Sequence, residues 1–170
     1  MYNHNSISFC IFHQVGLVTT GEWTPWCGGS IISTKHVLTA AHCTKDKYAP
    51  SIQILIGEHD VGDTWAYRRA IASITIHPNY DHTKKDYDVA LLTFVSPVTF
   101  TTAVGPICLP SGLVSLNPNT FSDYVDELAT TSGWGQTATG GQDANTLQEV
   151  DLKILANSEC GEAWGSQIKR

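Results

Sequence analysis

Apolar positions along the chain fall in short runs of alternating or continuous character, and no stretch keeps a helical spacing for long. Seven segments carry the pattern: HQVGLVTT (13–20), SIISTKHVLTAA (30–41), SIQILIGEHD (51–60), YRRAIASITIHP (67–78), DVALLTFVSPV (88–98), ELATTSGWG (127–135) and LQEVDLKIL (147–155). They are rich in Val, Ile, Thr and aromatic residues and are separated by Gly, Pro and Asn. That combination predicts strands joined by turns, hence an all-β sandwich or barrel. The Pro/Gly/Asn-rich stretch PSGLVSLNPNTFSD (110–123) reads as a linker between a longer N-terminal block and a shorter C-terminal one. Residues 124–170 offer only about three strands, too few to close a small barrel.

Composition narrows the classes. The 170 residues are 42% hydrophobic and only 15% charged, enough for one ordinary domain or two small barrels and too apolar for disorder over most of the length. The net charge of −6 is spread along the chain and no Lys/Arg cluster forms, so neither nucleic acid nor an anionic membrane is an expected partner. No run approaches the ~20 apolar residues of a membrane span, and the early run ISFCIF (7–12) is too short for the apolar region of an export signal. Five cysteines, Cys10, Cys27, Cys43, Cys108 and Cys160, are widely spread without a CxxC pair. Disulfides are therefore expected rather than a zinc ribbon, with at least one thiol left over.

Chemistry concentrates around His42, which stands between Ala41 and Cys43 at the end of the apolar run VLTAAHC (37–43). By itself it is either a packed, hydrogen-bonded histidine or a base presented at a strand end. Cys27 lies 16 positions before Cys43. A bridge between them would pin the histidine-bearing segment and contribute roughly 3 kcal/mol on a chain-entropy argument; two unrelated thiols are the alternative. Asp88 directly precedes the apolar run VALL, where a carboxylate is costly to ionise unless a group such as a histidine N–H donates to it. It can equally be a strand-end or turn residue. Asp86 competes for the same role, but its polar surroundings, HTKKDYD, mark it as solvated.

WCGGSIIS (26–33), VLTAAHC (37–43), IGEHD (56–60), IHPNY (76–80), DYDVALL (86–92), PICLP (106–110) and TTSGWG (130–135) occur in the order and at the spacing of a known family, with His42 and Asp88 46 positions apart. The chain resembles the trypsin- and chymotrypsin-like serine endopeptidases over about residues 13–168. The resemblance implies a double six-stranded antiparallel β-barrel, with residues 13–109 as the first barrel, 110–123 as the linker and 124–170 as an incomplete second barrel. Residues 1–12 form an atypical N-terminal segment. It also implies a Cys27–Cys43 bridge, His42 as general base and Asp88 as the group that orients and stabilises the imidazole. These roles are carried over from the family's Ser-His-Asp triad. Protein or peptide substrates, an extracellular location and no cofactor follow from the same source.

The family's GDSGGP motif, which carries the nucleophilic serine and the oxyanion amides, does not occur in the sequence. Neither Ser30, in the CGGS strand, nor Ser166, without flanking glycines, replaces it. No IVGG-like mature start or activation site is recognisable after MYNHNSISFCIF. The expectation is a partial product of a secreted protease gene, inactive in itself. The rival is a non-catalytic relative that keeps the cleft as a binding surface. Cys108 resembles a cysteine that bridges to a propeptide in some members; Cys160 lacks its later partner, and Cys10 matches no family position. Glu58, Asp60 and Asp63 in GEHDVGD occupy the place of a calcium loop in some relatives, with an ordinary acidic turn as the alternative. The seven histidines show no HExxH spacing, which argues against a zinc hydrolase.

Overall fold

The structure, a computed structural model, describes residues 13–63, 66–109 and 124–164. Cys10, Ser166 and the 110–123 linker lie outside these residues. Among the described residues the chain forms two compact units. One holds the described chain up to Cys108 together with Gly133–Gln148, and the other holds Leu109, residues 124–132 and residues 149–164. The block expected at 124–170 is thus shared between both units.

Six strands make the first unit: β1 (Gln14–Thr19), β2 (Cys27–Ser33), β3 (His36–Thr39), β4 (Ile52–Ile56), β5 (Tyr67–Ile76) and β6 (Ala90–Phe94). They close into a barrel in the order β1-β2-β3-β6-β5-β4, every pairing antiparallel. Closure removes free edges, because β1 pairs with both β2 and β4. Strand alternation fills the interior: Val15, Leu17, Ile31, Val37, Ile52, Ile54, Ile56, Leu92 and Phe94 form one buried cluster. The opposite faces of β1 and β4 are also covered, since Val18 and Leu55 pack with Ala66 in a second cluster. This explains why QVGLV and IQILI read as continuous apolar runs rather than clean alternation.

The β-rich segment SIISTKHVLTAA is a hairpin of β2 and β3 with an irregularity between Ile31 and Ser33. Gly29 marks a close approach in this hairpin: a Cβ there would lie 2.9 Å from the Leu38 carbonyl oxygen and 2.8 Å from Val37 Cγ1.

Gly133–Gln148 belongs with the barrel through the loop after β4. The Leu147 amide donates to the His59 carbonyl at 2.8 Å, the Val61 amide to Asn145 at 2.7 Å, and the Trp134 indole N–H to His59 at 3.1 Å. Trp134 and Leu147 are buried by this docking. In the second unit, β7 (Leu128–Gly133) and β8 (Gln148–Lys153) pair as a two-stranded sheet followed by helix α2 (Asn157–Trp164). That helix has no counterpart in the sequence reading, because eight residues with few apolar positions carry little periodic signal.

Candidate active site

His42 lies just past the end of β3, in a single helical turn, α1 (Ala41–Thr44). Ala40 is still extended, and the turn then buries Ala41, Cys43 and Thr44 while leaving His42 exposed. The imidazole is thus pushed outward by the packing of its neighbours, from a turn and not from a strand end. The Cys27–Cys43 disulfide ties that turn to the start of β2. Thr39 adds a second tie, donating its hydroxyl to the Gly28 carbonyl at 2.7 Å.

Strand register delivers Asp88. β3 and β6 pair with Thr39 opposite Ala90, so the residues just before β6 face those just after β3. Two contacts fix the approach to β6: the His77 amide donates to the Val89 carbonyl at 3.0 Å, and Tyr87 stacks on the His77 ring with centroids 4.7 Å apart. Tyr87 has φ of 53° and its carbonyl accepts from the Val89 amide at 2.7 Å, which makes a tight turn around Asp88. No sequence signal announced that conformation, since positive φ is uncommon for a tyrosine.

The two side chains meet closely. His42 Nδ1 lies 2.6 Å from Asp88 Oδ2, and the His42 backbone amide donates to Asp88 Oδ1 at 2.7 Å. Burial opposes ionisation of Asp88 and is the largest single influence, but the hydrogen bonds from the His42 ring and amide, with the nearby charges of His42 and Lys85, together hold its carboxyl below the usual range. An ionised Asp88 accepts from Nδ1–H, which leaves the lone pair on Nε2. The Asp88 side chain is 23% exposed and that of His42 48%. The imidazole is therefore anchored on one edge and open on another.

The other sequence candidates lie elsewhere. Asp86 is bound into its own loop, where its carbonyl accepts the Asp81 amide at 3.0 Å. Ser30 is in β2, opposite Leu38. Cys108 is an exposed free thiol and Cys160 a half-buried one. In the GEHDVGD loop, Glu58 is buried and its Oε1 accepts the Gly62 amide at 2.7 Å, while Asp63 Oδ2 accepts the amides of His59 and Asp60 at 3.1 and 2.9 Å. Burial pushes the Glu58 carboxyl up, against the Gly62 hydrogen bond, and Oε2 has no protein partner. Among the described residues, no group of three metal-ligating side chains includes Glu58, Asp60 or Asp63.

The closed six-stranded antiparallel barrel fits the all-β fold of the trypsin-like serine peptidases. Comparison with known proteins agrees: the family description Trypsin matches residues 4–170, and the chain belongs to that family. It is 35% identical over 154 residues to Serine protease filzig of Drosophila melanogaster, covering 88% of this chain and 8% of that protein. It is 34% identical to Venom serine protease of Polistes dominula (84% of this chain, 51% of that protein) and 31% identical to Trypsin-1 of Salmo salar (92% and 59%). The chain therefore spans less than two thirds of the length of each of these relatives.

Proposed function

We propose that His42 and Asp88 supply the general base and its orienting carboxylate in a serine endopeptidase that acts on protein or peptide substrates. The observation that carries the reading is the two-point contact between His42 and Asp88, at 2.6 Å through the ring and 2.7 Å through the amide. In this reading Asp88 fixes the Nδ1–H tautomer, so that Nε2 takes the proton of a serine hydroxyl as it attacks the peptide carbonyl. The imidazolium then returns the proton to the leaving amine. A neutral hydroxyl is a weak nucleophile, and a base held within hydrogen-bond reach is what makes it reactive.

GDSGGP is not among the 170 residues, so the proposed chemistry is that of a protein that carries them together with a serine and its oxyanion amides. The 170 residues alone are proposed to be inactive. An extracellular setting is part of the same proposal, supported by the Cys27–Cys43 disulfide and by the venom relative. The test is a protein in which these residues are joined to a downstream GDSGGP segment and activated. It should be labelled by phosphonylating serine reagents, and His42→Ala should remove nearly all labelling and turnover. Absence of labelling in the unsubstituted protein would favour a non-catalytic binding module instead.

A further inference from the structure

The Cys27–Cys43 disulfide lies beside His42. Cys27 Sγ, Cys43 Sγ and a ring nitrogen of His42 all lie within 4.8 Å of one another, and among the described residues this is the one group of three metal-ligating side chains that converges in this way. His42 Nε2 lies 3.5 Å from Cys43 Sγ. A tetrahedral zinc ion, with bonds of about 2.3 Å to sulfur and about 2.0 Å to nitrogen, separates neighbouring sulfur and nitrogen ligands by about 3.5 Å. One edge of such a tetrahedron is already in place. The cysteine Cα atoms are 6.2 Å apart, so side-chain rotation alone can open the two sulfurs to the roughly 3.8 Å that the same bond lengths require.

A second observation is independent of the sulfurs. His42 Nδ1 is held by Asp88 Oδ2 at 2.6 Å, the carboxylate–histidine arrangement that orients a ligating imidazole and raises its basicity. The neighbouring positions of His42 and Cys43 in sequence account for neither this anchor nor the arrival of Cys27 from β2. The geometry points to a redox-gated metal site: when the Cys27–Cys43 bridge is reduced, both thiolates and His42 Nε2 bind one divalent cation of the zinc class.

The chemistry balances. A dithiol reductant supplies two electrons and two protons, the S–S bond breaks to two thiols, and the reductant leaves as its own cyclic disulfide. Metal binding then displaces the two thiol protons to solvent, and two thiolates neutralise the double positive charge. The fourth position is left to water, as in sites with three protein ligands. In the oxidised chain neither sulfur carries the charge that a soft ligand needs. Bound metal occupies the Nε2 lone pair, so it also removes the proposed base. That consequence rests on the peptidase reading; the binding itself does not.

Cobalt(II) is the probe, because thiolate ligands give it intense charge-transfer absorption and tetrahedral geometry gives it strong visible bands. The full chain carrying Cys10→Ser, Cys108→Ser and Cys160→Ser is titrated before and after reduction by dithiothreitol and removal of the reductant, with circular dichroism recorded throughout. The reduced chain should take up one cobalt ion with both signatures and release it to zinc, and the oxidised chain should take up none. His42→Ala should weaken binding at least 10-fold, and Asp88→Asn about 10- to 100-fold through loss of the orienting carboxylate. Equal affinity in the His42→Ala chain, uptake by the oxidised chain, or a reduced chain that has lost its fold and does not regain it with metal would each overturn the proposal.

Discussion

Asp88 and Glu58 are two carboxylates whose surroundings push them in opposite directions, and each makes a separate pH prediction. For Asp88 the folded value lies below the usual 3.8, so its stabilisation is complete above the unfolded value and is lost as pH falls through the folded one. Asp88→Asn should therefore cost about 1.5–3 kcal/mol in unfolding free energy at pH 7, the scale of a charge-assisted hydrogen bond, and progressively less below pH ~4. Denaturant unfolding at several pH values measures it; a difference that does not shrink in acid would show that the ionised carboxylate is not the partner of His42. Glu58 runs the other way. Its folded value is raised above 4.5, so the folded state prefers the protonated form, and this contribution is lost as pH rises through the folded value. The stability of the unsubstituted chain relative to Glu58→Gln should improve as pH is lowered from 7 to 4, and the Glu58 carboxyl should titrate above 4.5 in a carbon-13 NMR experiment.

Strand pairing sets the site, so substitutions that disturb β2, β3 or β6 should reach His42 and Asp88 without touching them. Gly29→Ala places a methyl group against the Leu38 backbone, which cannot give way as the end of a flexible side chain can. A loss of about 1–3 kcal/mol is expected, read as a lower denaturant midpoint with an unchanged slope. Unchanged stability would mean that the β2–β3 hairpin adjusts freely. Removing the disulfide by paired Cys27→Ala and Cys43→Ala substitution should cost about 2–4 kcal/mol on the same measurement. The motif VLTAAHC made the β3 region legible, yet it suggested a histidine at a strand end. Packing of Ala41, Cys43 and Thr44 against the barrel winds that end into a turn, a consequence of tertiary contacts that local propensity does not contain.

Across the whole molecule the two units differ in how much apolar surface they cover. The barrel buries the aliphatic side chains of its interior, such as Leu17, Ile31, Ile54 and Leu92, completely, whereas Leu128, Val150, Leu152 and Leu155 of the second unit are 71%, 52%, 54% and 49% exposed. Exposed large apolar side chains on a two-stranded sheet with open edges favour self-association. The oxidised 170-residue chain should therefore form concentration-dependent oligomers in light scattering, and Leu128→Lys with Leu152→Lys should shift it toward monomer. A monomer at all concentrations that unfolds in one cooperative step would contradict this.

By itself, the sequence located the main strand-forming segments and, through its motifs, the family and with it the barrel class. Each of these is written in local alternation, in turn residues and in motifs such as TAAHC and SGWG, and each survives without knowledge of distant contacts. The sequence also picked out His42 and Asp88 as a pair to watch, though their spacing alone left Asp88 open as a turn residue. Only the tertiary structure decided that both oxygens of Asp88 are engaged by His42, that Tyr87 turns through a positive φ to present it, and that Gly133–Gln148 packs with the barrel. It alone brought both sulfurs of Cys27–Cys43 beside the imidazole. The reason is physical: strand identity is encoded by neighbours in the chain, whereas register, burial and the approach of a ring nitrogen to a sulfur are fixed by residues far apart in sequence, and they exist only once the barrel has closed.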